Sequence, residues 1–320
     1  MSEKRSLILG PSNVGKTALL ASFFHAVGIF DQPGWHLSVQ PENDTTRQVQ
    51  QNIYSFLQTG SLPFGGTFSI SEYEFLFSVE RENVGWKKWL NKSDTTLHRF
   101  RFLDAPGGTV FFNSDEEIDY AIQGEHRKRL IEELRIAQGI VICMDASELN
   151  TSNSSYGMSG RIYSQLNDIF SLVPKKMIAN KLPTLDVLRV YVCLNKCDLW
   201  AIQAGYQGDA LHELQAQNPL SFAYQLLGKG FFSMLKTWFS ENTEIAVGFS
   251  SSYGFLEGGP NAFLVGGVGM GGDVRREHVE SWNPYQVLEP FIFLTTGNTI
   301  SNTVFSGCIR DFRDTSLWKM

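Results

Sequence analysis

The chain has 320 residues, of which 42% are hydrophobic and 19% charged, with a net charge of -6. This is globular composition with material for a sizeable core, and it excludes a disordered chain. The negative balance removes any bulk attraction for nucleic acid or anionic lipid, and no apolar run reaches the length of a membrane span.

In chain order, Ser6 to Leu9 reads as a short buried strand followed by a glycine loop. Thr17 to Phe30 reads as a helix, with Leu19, Leu20, Phe23, Phe24 and Val27 on one side. Asn43-Asp44 can cap a second helix through about Gln58. Leu62 to Gly66 is a Pro/Gly loop. Glu72 to Glu80 and Leu97 to Leu103 alternate as strands on either side of a short insertion holding Trp86 and Trp89. Glu125 to Ala137 predicts a charged helix with Leu130, Ile131 and Leu134 inward. Gly139 to Met144 is the continuous apolar run of a central parallel strand.

A Ser/Asn/Gly loop (Asn150 to Gly160) and a helix from Arg161 to about Val173 come next. Leu188 to Leu194 predicts a buried strand, Leu211 to Phe239 one or two helices, and Glu244 to Phe249 the last strand. Gly254 to Gly272 is too rich in glycine for a helix and reads as a loop or hairpin. Asn283-Pro284 predicts the start of a final helix to about Leu294, kinked at Pro290; the tail after Thr295 has no clear pattern. Strands alternating with helices predict an α/β fold, with a mostly parallel central sheet covered on both faces. A single domain is expected, with its core over about 4–253 and 283–294 and insertions at about 31–66, 82–96 and 254–282.

Four cysteines, Cys143, Cys193, Cys197 and Cys308, lack metal-site spacing and read as buried reduced thiols, which fits a cytoplasmic setting. Phe is abundant, at 24 residues. That predicts a thick aromatic core, with the Trp-, Phe- and Gly-rich segments as core and loop or as a partner surface.

Three motifs carry chemistry. Gly10-Pro11-Ser12-Asn13-Val14-Gly15-Lys16-Thr17 fits G-x-x-x-x-G-K-[ST] between a strand and a helix. Its glycines let the N–H groups of Ser12, Asn13, Val14, Gly15 and the helix start, including Ala18, turn toward phosphate oxygens. Lys16 can reach the β- and γ-phosphates, and the Thr17 hydroxyl can ligate Mg²⁺. Asp104-Ala105-Pro106-Gly107 ends a strand: Asp104 can hold Mg²⁺ through water, and the Gly107 N–H can meet the γ-phosphate. Asn195-Lys196-Cys197-Asp198 follows another strand. Asp198 can accept hydrogen bonds from guanine N1–H and the exocyclic amine, a pair of donors that adenine lacks, while Asn195 and the Lys196 stem brace the loop and cover the ring.

Together, and in this order, these motifs resemble the P-loop GTPases of the Ras-like and translation-factor class over roughly residues 4–253. The resemblance implies GTP or GDP as ligand with Mg²⁺, GTP hydrolysis, a nucleotide-dependent switch, and a protein effector or activating partner. The family's last base-contacting loop has a degenerate counterpart at Ser250-Ser251, followed by Ser252 and Tyr253. The family's switch Thr, a Mg²⁺ ligand that senses the γ-phosphate, corresponds best to Thr67, with Thr45 and Thr46 as competitors. The long spacing from Thr17 to Asp104 and the Trp282-Asn283-Pro284 segment look similar to bacterial GTPases of the double-GTPase and conflict-system type.

Where Ras-like enzymes carry a water-orienting Gln, this chain has Gly108. Catalysis would need another group, a partner, or a slow rate. Asn13 resembles the residue that helps hold K⁺ in GTPases that dimerise through their G domains, so K⁺ and a G-domain homodimer are implied. The alternative is an Asn tolerated at a turn. Arg127, Arg129 and Arg161 are candidate arginine fingers, and His126 a candidate water-orienting group, although Glu125 to Arg129 also reads as a solvated helix face. The competing functional reading is a scaffold locked to GTP or GDP with little turnover; an ATP-using enzyme is disfavoured by Asn195 and Asp198.

Overall fold

The run Gly139–Asp145 forms β5, buried along its whole length. In the computed structural model it lies between β1 (Ser6–Leu9) and β6 (Arg189–Asn195), parallel to both, with β7 (Glu244–Phe249) parallel on the far side of β6. The structure describes residues 5–11, 14–59, 71–81, 94–104, 120–149, 166–167, 170–171, 185, 187–206, 209–256, 259–260 and 282–310. These strands meet their predicted bounds to within a residue or two. A fifth strand, β10 (Phe305–Cys308), pairs antiparallel to β7 and gives the order β1-β5-β6-β7-β10. It comes from the tail that has no clear pattern, because four residues with a central Gly carry too little alternation to read.

Strand side chains point alternately to two cores. Leu7, Ile140, Ile142, Val190, Val192, Ile245 and Val247 face one core, completed by helices α3 (Tyr120–Ile136), α5 (Cys197–Gln203), α6 (Ala210–Ala216) and α7 (Pro219–Trp238). Ile8, Val141, Cys143, Tyr191, Cys193 and Ala246 face the other, covered by α1 (Lys16–Ile29), α2 (Asp44–Thr59) and α8 (Glu289–Thr296). The predicted mostly parallel sheet covered on both faces is thus present. β5 runs directly into a single turn of helix, α4 (Ala146–Leu149), which contacts α5.

A second sheet, β2-β3-β4, is antiparallel: Trp35–Pro41, Ser71–Arg81 and Asp94–Asp104. Its last strand contacts β1. The β2 strand lies inside what the sequence reads as an insertion at 31–66. Its alternation is legible afterwards (Trp35, Leu37 and Val39 half-buried; His36, Ser38 and Gln40 exposed), but Pro33-Gly34 before it and Pro41 at its end mask it. The second helix forms where predicted, and Asn43 caps it by accepting from the Thr46 N–H at 2.9 Å.

The abundant Phe is shared between the two cores, and in the α1–α8 core it forms a connected aromatic cluster. Phe23 stacks on Phe291 at 3.9 Å between centroids and meets Phe75 and Phe77 at 5.3 and 5.2 Å. Phe100 and Phe102 stack at 5.2 Å and reach Phe291 edge-on.

Two expectations are corrected. The final helix starts at Glu289, not Asn283, and Pro290 lies in its first turn, where its missing N–H breaks no bond, so there is no kink. Asn283 instead pairs with Gly254 in an isolated bridge. Of the four thiols, Cys143, Cys193 and Cys197 are buried and in no disulfide, as expected, but Cys308 is half-exposed, since β10 is an edge strand. Within the Gly-rich segment β8 (Phe255–Leu256) pairs antiparallel with β9 (Gly259–Pro260), while 257–258 and 261–272 lie outside the described residues. The loops at 62–66 and 150–160, the Trp86/Trp89 insertion and most of the helix at 161–173 lie outside the described residues.

Candidate nucleotide site

The loop after β1 is shaped by two glycines. A side chain at Gly10 would place its Cβ 2.5 Å from the Cys143 carbonyl oxygen of β5. Gly15 has φ 84°, a left-handed conformation, and a Cβ there would meet Asn195 Nδ2 at 2.7 Å. Only glycine fits, so the chain can turn tightly from β1 into α1. Lys16, buried in the first turn of α1, donates to the carbonyl oxygens of Gly10 at 3.0 Å and Pro11 at 2.9 Å. Its ammonium is therefore folded across the loop it is expected to serve. Val14 is buried, and Thr17 and Ala18 are half-buried on the same turn. Ser12 and Asn13 lie outside the described residues.

The second loop, after β6, is tied directly to the first. Asn195 Nδ2 donates to the Val14 carbonyl at 2.7 Å, and its Oδ1 accepts from the Ser250 hydroxyl at 3.1 Å. Lys196 takes a left-handed conformation (φ 57°), which starts α5 and sets Asp198 in its first turn. Cys197 N–H donates to the Ser250 carbonyl at 3.1 Å, joining this loop to the one after β7. Ser250 and Ser251, both fully buried, thus belong to the same site. Three loops that the chain spaces far apart therefore meet here.

Asp198 is 1% exposed, and its Oδ2 has no hydrogen-bond partner. Burial raises its carboxyl to about 6, offset in part by a hydrogen bond from the Ser251 side chain, by backbone N–H groups and by the Lys196 charge. A buried carboxylate oxygen without a donor is costly. It fits a ligand that brings N–H donors.

Lys196 is engaged in a way the sequence reading missed. Its Nζ pairs with Asp145 Oδ2 at 2.6 Å, and Asp145 Oδ1 accepts from the Ser147 N–H at 3.0 Å and hydroxyl at 2.6 Å. Asp145 ends the apolar run of β5, and a carboxylate at that point was the available signal. The Lys196 stem lies beside Gly15, with Cε 4.0 Å from the position a Gly15 Cβ would take.

For Mg²⁺, Thr17 is on the first turn of α1, and β4, ending at Asp104, contacts β1. The Asp104 side chain, Thr67, Gly107 and Gly108 lie outside the described residues, as do the side chains of His126 and Arg127 and all of Arg161. Thr46, a competitor of Thr67, is used structurally: its hydroxyl donates to Asn43 Oδ1 at 2.6 Å and accepts from the Glu74 N–H at 2.8 Å. Arg129 pairs with Glu72 at 2.6 Å, on an exposed face that includes Glu125 and Lys128. Among the described residues, no three His, Cys, Asp or Glu side chains cluster as a metal site, and no helix is long and apolar enough to cross a membrane.

No family model and no curated protein matches the chain. Several solved structures are similar in fold. One is described as the signal recognition particle receptor SRb-GTP/SRX complex from Chaetomium thermophilum, at 18% identity and TM-score 0.38, covering 81% of this chain and 94% of that one. The S. cerevisiae Ski7 GTPase-like domain bound to GTP matches at 12% identity and TM-score 0.33, covering 78% of this chain and 43% of that one. The Arl6 BBS3 small GTPase from Trypanosoma brucei with bound GppNp matches at 11% identity and TM-score 0.33, covering 78% and 88%. Likenesses this distant add no weight to the geometry, which stands by itself.

Proposed function

We propose that the chain is an elaborated single-domain P-loop GTPase that binds GTP or GDP with Mg²⁺, hydrolyses GTP, and acts as a nucleotide-dependent switch. The observation that carries this reading is the unpartnered Asp198 Oδ2, buried in a loop that Asn195 ties to the glycine turn around Lys16. Guanine offers N1–H and an amine to one carboxylate; adenine does not.

Lys16 would leave the Gly10 and Pro11 carbonyls for the β- and γ-phosphates, and the N–H groups of the loop would receive phosphate oxygens. Thr17, Asp104 and Thr67 would hold Mg²⁺, which when bound neutralises charge that develops between the β- and γ-phosphates. Thr67 and Gly107 are the residues through which a γ-phosphate could order the adjoining loops. Lys16, Asn13 and Thr67 are the proposed catalytic groups, with Asn13 helping to hold K⁺ across a G-domain homodimer. A protein effector, an activating partner and a cytoplasmic location complete the reading.

The test is calorimetric titration with GDP and ADP, together with phosphate release from GTP in KCl and in NaCl. Tight GDP binding, weak ADP binding and K⁺-stimulated turnover are expected. Equal affinity for GDP and ADP would overturn the guanine assignment, and equal rates in the two salts would remove K⁺. A second reading, a scaffold that binds nucleotide without useful turnover, is favoured by Gly108 in place of a water-orienting Gln. Absence of phosphate release with intact binding would select it.

A further inference from the structure

The segment that begins at Trp282 lies outside the three site loops, yet it grips one of them. Ser251 and Tyr285 exchange both backbone bonds, at 3.0 and 2.9 Å, and a Cβ on Gly254 would collide with the Asn283 carbonyl oxygen. Trp282 is 4% exposed, and an indole so buried needs an acceptor for its N–H. Nε1 donates to the Ser252 carbonyl oxygen at 2.7 Å. The indole lies flat on the His25 imidazole of α1, with 4.3 Å between ring centres and 4° between planes. His25 Nε2 donates to the Trp282 carbonyl oxygen at 2.9 Å. Trp282 thus holds the turn after β7 with its N–H, and α1 with its ring and its carbonyl.

Both ends of this contact lead to the site. The turn carries Ser251, whose side chain hydrogen-bonds the Asp198 carboxylate. The helix α1 starts at Lys16, and His25 lies about 13 Å further along its axis. The Asn195–Val14 bond already joins the Asp198 side to the Lys16 side at one point. Two bodies joined at one point can pivot about it; a second, well-separated tie stops the rotation.

We propose that Trp282 is a positioning residue for the nucleotide: with His25 it forms a strut that fixes the Asp198 end of the site relative to the Lys16 end before a ligand arrives. This deepens the guanine reading and rests on it. A ligand that spans both ends gains from a frame already set to its length, because little ordering remains to be done on binding. A ligand that touches the phosphate end alone gains nothing from the strut.

The test measures affinity for GDP and for inorganic pyrophosphate in wild type, Trp282→Phe and His25→Phe, by displacement of a fluorescent GDP analogue. Each variant keeps a flat ring in the stack and removes one hydrogen bond of the strut. GDP affinity should fall on the order of 10-fold in each, with pyrophosphate affinity unchanged. Undiminished GDP binding in a folded variant overturns the proposal. So do equal losses for GDP and pyrophosphate, the mark of a general loosening of the fold. Should Trp282→Phe fail to fold, His25→Phe, at a half-buried position of α1, decides by itself. Failure of wild type to bind GDP defeats the guanine reading itself, a result distinct from any of these.

Discussion

Asn195 Nδ2 donates to the Val14 carbonyl oxygen at 2.7 Å, so the end of β6 braces the glycine turn that follows β1. The same nitrogen stands 2.7 Å from where a Gly15 Cβ would be. Gly15→Ala would combine this collision with a left-handed backbone, at a cost of roughly 1–3 kcal/mol. A lower melting temperature and at least tenfold weaker GDP binding are expected. A variant that binds GDP as wild type would show that the turn does not shape the site.

Asp198→Asn replaces an acceptor-only carboxylate with an amide that presents one acceptor and one donor face. Xanthine carries a carbonyl where guanine carries its amine. GDP affinity should fall by about 100-fold, from loss of charge-assisted hydrogen bonds, while xanthosine diphosphate affinity rises. Competition between the two diphosphates reads this directly. Unchanged preference would place the base elsewhere.

Glu289 is 4% exposed and accepts from the backbone N–H groups of Ile300 at 3.1 Å and Ser301 at 2.5 Å. Burial raises its carboxyl from 4.5 to about 7, against those two bonds. The folded protein thus holds a proton that the unfolded chain releases at lower pH. The stability so gained is full below about pH 4.5 and is lost as pH rises to about 7. Glu289→Gln removes the ionisation and keeps one acceptor oxygen for the two N–H groups, at the cost of one of these hydrogen bonds. At pH 7.5 it should be about 1–3 kcal/mol more stable than wild type, with a flatter profile below, as denaturant titrations at several pH values would show. A less stable, equally pH-dependent variant would contradict this.

Phe291 joins α8 to α1 through the 3.9 Å stack on Phe23 and touches the second sheet through Phe75, Phe100 and Phe102. Phe291→Ala should cost about 3–5 kcal/mol by opening a cavity where both sheets meet the helices. Urea unfolding measures it, and a loss under about 1 kcal/mol would mean that the core refills.

The strands of the central sheet were legible because β5 and β6 are buried on both faces and read as unbroken apolar runs. The strands β2 and β10 were not: β2 is an edge strand set between Pro33-Gly34 and Pro41, and β10 is a four-residue edge strand around Gly307. The start of α8 was misplaced because Asn283-Pro284 is a good cap sequence, yet its backbone serves the bridge to Gly254. Asp145 was missed because a carboxylate ending an apolar strand has no partner until Lys196 folds back to it.

The sequence by itself determined which chemistry could be present: a glycine turn before a lysine, and an aspartate after a buried strand, are local patterns with local physical causes. Tertiary structure alone decided which groups meet. That Asn195 braces Val14, that Ser250 bonds to Asn195, and that Asp198 keeps one oxygen without a partner depend on parallel strands far apart in the chain ending side by side. Such contacts follow from sheet order and packing, which no short stretch of residues encodes.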